Sequence, residues 1–258
     1  MSKTFFILLT TILLMASCAK VPVTKRKQLK LLPESSLISM SKGAYAEFLA
    51  GAIVLPQSDA RAKRVTKVGN QIKEAAMAYL AKNNQTKRID GFQWMFNTVD
   101  DATVNAWCMP GGLVVVYTGI LDLATTDDEL ATVMGHEIAH AIARHGNERM
   151  SKALGLQVAM GVLQGTTSED NQQLLYYAGI GSQLGMLKFS RMNETESDKI
   201  GLVFMKMAGY DPNHAVTFWE KMASDGASPP EILSTHPSDE RRIKDIKEFI
   251  PKIDDYIK

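Results

Sequence analysis

The sequence predicts an α+β fold: a mostly helical body with a small antiparallel sheet. Three observations carry this. Apolar residues recur at helical spacing over two long early segments and again from about Thr126 onward. Three short runs of strand character lie between Phe92 and Tyr117. At 258 residues the chain is long enough for one sizeable core and short for two.

The elements follow in order. Lys3 and the apolar run from Phe5 to Ala16 are too short for a membrane span and have the length of a secretory signal. The small residues Ala16 and Ser17 stand directly before Cys18, as at a bacterial lipoprotein cleavage site. The expectation is a signal peptide over 1–17 and a lipid on Cys18, with Ala19 behind it fitting outer-membrane sorting. Residues 18–32 read as a solvated tether that carries Lys25, Arg26, Lys27 and Lys30 close to the anchor. The remainder, 33–258, reads as one domain.

Helices are expected over Glu34–Leu49 and Ala60–Lys82, the second with Val65, Val68, Ile72 and Ala76 on one stripe. Strands are expected at Phe92–Phe96, Thr103–Trp107 and Leu113–Tyr117, divided by the Asp100-Asp101 turn and by Pro110-Gly111-Gly112. Thr126 and Glu129 form a capping box that opens a helix running to about Arg144 or beyond. Residues 154–187 mix apolar and small residues around a polar middle, which fits either a mobile lid or two close-packed helices. After a helix through Glu194, the turn Gly209 to Pro212 leads into a helix over about Asn213–Ala223, and a loop over Gly226–Ser234 follows.

Within the capped helix, residues 136–140 read His-Glu-Ile-Ala-His. Four residues turn a helix by about 400°, so both imidazoles leave one face a turn apart and can take neighbouring corners of a tetrahedral metal site. Glu137 lies about 100° round from His136, beside the open corner, where a carboxylate can take a proton from an attacking water. Catalytic zinc uses three protein ligands. A third histidine six residues after the second is excluded, because that position is Gly146. A carboxylate from a second helix remains. Glu194 and Asp198, four apart on one helical face, offer a ligand and an acceptor for a ligand histidine's ring N–H, while Glu196 falls on the opposite side. The alternative for this acidic cluster is a solvated helical turn.

Together with the run Asn105 to Leu121, Ser190-Arg191, Thr235-His236-Pro237 and Arg242-Ile243, these residues resemble the zinc metallopeptidase family that includes the CAAX prenyl protease, the membrane protease HtpX and the periplasmic enzymes BepA, LoiP and YcaL. The likeness is greatest to the LoiP and YcaL lipoproteins, and takes in Val21-Pro22-Val23-Thr24. It implies a zincin-like domain of gluzincin type, with one Zn²⁺ on His136, His140 and Glu194, Glu137 as general base and Asp198 behind a ligand. Ser197 stands where the family usually has alanine. The resemblance puts His236 near the metal, as a latch over the zinc or as an oxyanion donor. It puts Arg242 at the oxyanion or at a carboxylate of the metal site, against the plainer reading of a surface ion pair with Glu240 or Asp239.

The expected function is that of a zinc endopeptidase held by its lipid to an envelope membrane. Its domain would face the periplasm, with polypeptides as substrates and an outer-membrane assembly machinery among its partners. The strand through Val114 and Val116, after Gly111 and Gly112, is expected to pair with an extended substrate. Two other readings are a non-proteolytic assembly factor that holds outer-membrane clients and a two-histidine, one-carboxylate iron oxygenase. Glu137 counts against both, since neither needs a base there. A net charge of +1 without interleaved aromatic and basic residues gives no sign of a nucleic-acid partner. With Cys18 lipidated, Cys108 has no disulfide partner and reads as a small buried hydrophobe.

Overall fold

A computed structural model describes residues 18–164, 189–224, 232 and 240–258. The signal peptide, most of the 154–187 segment, the Gly226–Ser234 loop apart from Ile232, and His236 lie outside the described residues.

The described residues begin with a hairpin, β1 (Cys18–Lys20) and β2 (Lys27–Leu29), followed by α1 (Glu34–Gly51) and α2 (Ala60–Lys82). A 3-10 turn leads to β3 (Met95–Val99), β4 (Ala106–Met109) and β5 (Leu113–Tyr117), and the short α3 (Thr118–Leu123) follows. Then come α4 (Asp127–Ala143), α5 (His145–Gln164), α6 (Arg191–Met207), α7 (His214–Ser224), α8 (Glu240–Phe249) and the terminal turn α9 (Asp254–Ile257). Among the described residues no helix is long and apolar enough to cross a membrane.

The core forms around α4. Asp59 starts α2 by accepting a hydrogen bond from the Arg61 N–H at 2.8 Å, and the stripe Val65, Val68, Ile72 and Ala76 is fully buried, as its spacing predicts. It meets Leu130, Met134 and Ile138 of α4, Val114 and Val116 of β5, Val203 and Phe204 of α6, and Phe218 and Trp219 of α7 in one cluster. Every residue of α4 from Glu129 to Ala143 is buried. A polar side chain on such a helix must find a partner inside the protein, because an unpaired one loses its hydration with nothing in exchange.

Close approach of α4 and α6 fixes the distance between their side chains. Gly135 and Gly201 meet backbone to backbone, and a methyl group at Gly201 would stand 2.8 Å from the Gly135 carbonyl carbon.

The sheet corrects the antiparallel expectation. Its order is β3-β5-β4, with β3 parallel and β4 antiparallel to β5. The expectation places a turn at Asp100-Asp101 between two strands of an antiparallel sheet. Instead Asp101 accepts from Thr103 N–H at 2.8 Å and its carbonyl takes Gly119 N–H at 2.9 Å, so the chain crosses over and β5 inserts between β3 and β4. Gly111 and Gly112, at φ 100 and 79, close the tight β4–β5 turn in a region that L side chains rarely adopt. Val114 and Val116 therefore lie on a central strand, hydrogen-bonded on both sides, and cannot serve as the substrate strand. The edge position beside α4 belongs to β4.

Residues 18–32 are not a solvated tether. Val21 and Val23 are buried in the main core, and Val23 N–H donates to the Tyr79 hydroxyl at 3.2 Å. Gln28 donates to the Ala143 carbonyl at 2.7 Å, and Leu31 N–H to the Ser151 hydroxyl at 2.8 Å. The basic run does not point uniformly to solvent either, since Arg26 reaches inward to Glu148 and Glu196.

Candidate metal centre

The capping box forms as expected: Glu129 N–H donates to the Thr126 hydroxyl at 3.2 Å, and the Glu129 carboxylate accepts from Thr126 N–H at 3.2 Å. The helix it opens carries His136, Glu137 and His140, all buried. Ser190 caps α6 by accepting from Asn193 N–H at 3.3 Å, which starts the helix in the phase that turns Glu194 and Asp198 towards α4. The structure thus brings together His136, His140, Glu194, Asp198 and Arg242.

Nε2 of His136 and Nε2 of His140 lie 3.0 Å apart; the first lies 3.3 Å from Oε2 of Glu194 and the second 3.3 Å from Oε1. An ion held tetrahedrally by bonds of about 2.0–2.1 Å spaces its ligand atoms by about 3.3 Å. Three buried donors, two imidazole and one carboxylate, at that spacing fit a divalent metal, and their ligand atoms all lie within 4.8 Å of one another.

Each imidazole is held from behind. His136 Nδ1 lies 2.8 Å from Asp198, which in turn takes two hydrogen bonds from the Arg242 guanidinium at 2.8 and 2.7 Å. Arg242 is buried, with its guanidinium carbon 3.4 Å above the Trp219 ring, so the surface ion pair with Glu240 or Asp239 is overturned. Of the two roles the resemblance left to Arg242, its hydrogen bonds match the one at a carboxylate of the site.

The electrostatics follow from burial. Desolvation and the charge of Arg242 pull the His136 pKa down, but Asp198 and Glu194 outweigh them and raise it to about 9. His140 is pushed well below its usual value by burial, against the pull of Glu194. Burial works against ionisation of Asp198, yet Arg242 and His136 hold its carboxyl below the usual range. Cys108, beside the site, has its thiol held up by burial and by the Glu137 carboxylate, as befits an inert small side chain.

Glu137 and His140 line a narrow cleft with Trp107, Cys108, Met109 and Pro110, the end of the edge strand β4. Glu137 and the end of the edge strand β4 therefore share one cleft.

The acidic cluster is not a solvated turn, since Glu194, Glu196 and Asp198 are all buried. Glu196 does face away from Glu194, towards His145 and Arg26. His145 and Arg26 are residues that sequence reasoning missed. On a continuous helix, five residues would leave His145 about 140° round from His140. Arg144 instead takes a left-handed conformation, φ 61, which ends α4 and swings His145 back against His140. Glycine would have signalled that break; arginine gives no such sign. Gly201 was missed too, as a glycine inside a helix shows no contact partner in sequence.

Residues 62–250 match the profile of peptidase family M48. The mitochondrial metalloendopeptidase OMA1 of Schizosaccharomyces pombe is 31% identical over 237 residues, covering 90% of this chain and 66% of the relative. Human OMA1 is 30% identical over 247 residues, covering 90% of this chain and 45% of the relative. The beta-barrel assembly-enhancing protease of Escherichia coli K12 is 32% identical over 162 residues, covering 59% of this chain and 33% of the relative. The chain thus spans 33% to 66% of the length of these relatives. With the profile match running through His136, His140, Glu194, Asp198 and Arg242, the chain belongs to peptidase family M48, and the body that gathers these residues is a metalloendopeptidase domain.

Proposed function

We propose that the protein is a zinc endopeptidase of the bacterial envelope, anchored by a lipid on Cys18 and facing the periplasm, that hydrolyses misfolded or unassembled envelope proteins. The observation that carries the chemistry is the set of three buried donors at tetrahedral spacing with Glu137 on the next helical position. Bound zinc supplies Lewis acidity, polarising the scissile carbonyl and making the attacking water more acidic. Glu137 takes the water's proton and hands it to the leaving amine. Asp198 and Arg242 keep the His136 ring in place.

An extended peptide is proposed to add along the edge of β4, whose end lines the Glu137 cleft. Main-chain pairing reads little sequence, which suits a broad range of unfolded substrates. The envelope location rests on the signal-like run before Cys18 and on the likeness to LoiP and YcaL. Beta-barrel assembly is the process named for the Escherichia coli relative, and an outer-membrane assembly machinery is by extension proposed as a partner of this protein. His236 completes the reading as a latch or an oxyanion donor.

The test is casein digestion by wild type and Glu137→Gln, each with and without chelator, on samples of known zinc content. Cleavage by wild type that chelator stops, with Glu137→Gln holding zinc but inactive, supports the reading. Cleavage that survives either change overturns it, and digestion absent throughout favours the non-proteolytic assembly factor.

A further inference from the structure

His140 has a path behind it that reaches the start of the described chain. Its Nε2 faces the other two ligand atoms, so the proton of a neutral, ligating ring sits on Nδ1. The partner of that nitrogen is Nδ1 of His145, 3.0 Å away. His145 must accept there, which places its own proton on Nε2, and that nitrogen lies 3.0 Å from the Glu196 carboxylate. The tautomers of the two rings are mutually fixed. Ser197, buried, sets its hydroxyl 3.2 Å from the same His145 nitrogen.

Glu196 is held in turn by the N-terminal hairpin. Arg26 donates to one of its oxygens through Nε at 2.9 Å and through a terminal nitrogen at 2.6 Å, and the Thr24 hydroxyl donates to the other oxygen. Arg26 also makes a two-pronged contact with Glu148, at 2.8 and 2.7 Å. A buried carboxylate with no cation beside it would shed its charge or drag in water. Arg26 prevents both, and is itself positioned by the hairpin turn whose Val21 and Val23 are anchored in the core.

We propose that the N-terminal hairpin is a working part of the metal centre: Arg26 and Thr24 position Glu196, Glu196 positions His145, and His145 fixes the ring of the ligand His140. The arrangement mirrors the other ligand, where Arg242 holds Asp198 and Asp198 holds His136. Each ligating ring thus ends in a buried carboxylate and an arginine, one arginine from each end of the described chain. Arg26, Glu196 and His145 are positioning residues. The inference rests on the reading of His136, His140 and Glu194 as the metal ligands.

The test uses the mature full chain and measures zinc affinity by chelator competition, together with the visible spectrum of the Co²⁺-loaded protein. The variants are His145→Ala, Arg26→Gln, Arg26→Lys, the control Lys152→Ala and the ligand knockout Glu194→Ala. His145→Ala is expected to weaken zinc binding about 10–100-fold and to shift the Co²⁺ bands. Arg26→Gln should weaken it in the same direction, with Arg26→Lys recovering part of the loss. Lys152→Ala, which removes a different cation from Glu148, should bind as wild type does. The double variant His145→Ala with Arg26→Gln should lose less than the product of the two single effects, because both act through one path. That comparison is made on folded protein at low temperature, so a mere loss of stability in Arg26→Gln does not mimic it. Wild-type affinity and spectrum in folded His145→Ala would overturn the proposal, and so would independent, multiplying losses in the double variant. If Glu194→Ala also binds as wild type does, the ligand assignment itself fails.

Discussion

Gly201 rests against Gly135, the residue before the ligand His136, with 2.8 Å between the position of an added methyl and the Gly135 carbonyl carbon. The contact sets how near Glu194 comes to the two histidines. Gly201→Ala should push α6 away from α4, lowering stability by about 1–3 kcal/mol and weakening metal binding at the same time. Thermal melts and chelator competition on one preparation check this; a wild-type melting temperature would mean the helices sit further apart than described.

Arg242 meets Asp198 with two hydrogen bonds and sets its guanidinium carbon 3.4 Å from the centre of the Trp219 ring. Lysine keeps the charge but has neither the fork nor the plane. Arg242→Lys is therefore expected to weaken metal binding about 10–100-fold, close to the effect of Asp198→Asn. Equal affinity in wild type and Arg242→Lys would reduce the guanidinium to a counter-charge.

Acid should loosen the hairpin before it loosens the core. Burial pushes the Glu148 pKa up, but hydrogen bonds from Arg26, Lys152 and Gln28 outweigh it and pull it to about 2. Its unfolded value is roughly 4.3. A group depressed on folding adds stability above the unfolded value, and loses it as the pH falls through the folded one. Stability should therefore decline from about pH 4.3 towards 2, and Arg26→Gln should move the acid midpoint to higher pH. Circular dichroism against pH reads this, and an unchanged midpoint in the variant would show that the Arg26 pair adds nothing to folding.

Removing His236 should raise peptidase activity if it caps the zinc, since a latch occupies the place a water needs. If it serves the oxyanion instead, the rate should fall by about 10²-fold or more. The expected outcome for His236→Ala is a rise, measured at matched zinc content. Unchanged rates would place the histidine outside the site.

What could be read from sequence was what obeys a period. The stripe of α2, the capping box at Thr126 and the shared face of His136 and His140 all follow from helical spacing, and so does the pairing of Glu194 with Asp198. Two things escaped for physical reasons. Sheet order depends on how residues 100–105 cross over, which a local hydrophobic pattern does not encode, so β5 was read as an edge when it is central. The backing of His140 depends on a left-handed arginine and on a hairpin more than a hundred residues away in the chain, and neither is periodic. A basic run beside an anchor resembles a solvated linker until its carboxylate partners are known.

The spread of the two arginines along the chain also bears on when the metal site acquires its full support. Arg26 precedes Arg242 by more than two hundred residues, and the two histidine supports are complete only when both are in place. Contacts over such sequence separations form late in folding. A nascent or truncated chain that stops short of Arg242 lacks one support, so it holds its histidines without the rigid frame that hydrolysis requires. The layout makes the frame around the two histidines a product of tertiary folding rather than of the helix that carries them, so a chain without either arginine keeps the motif and lacks its full support.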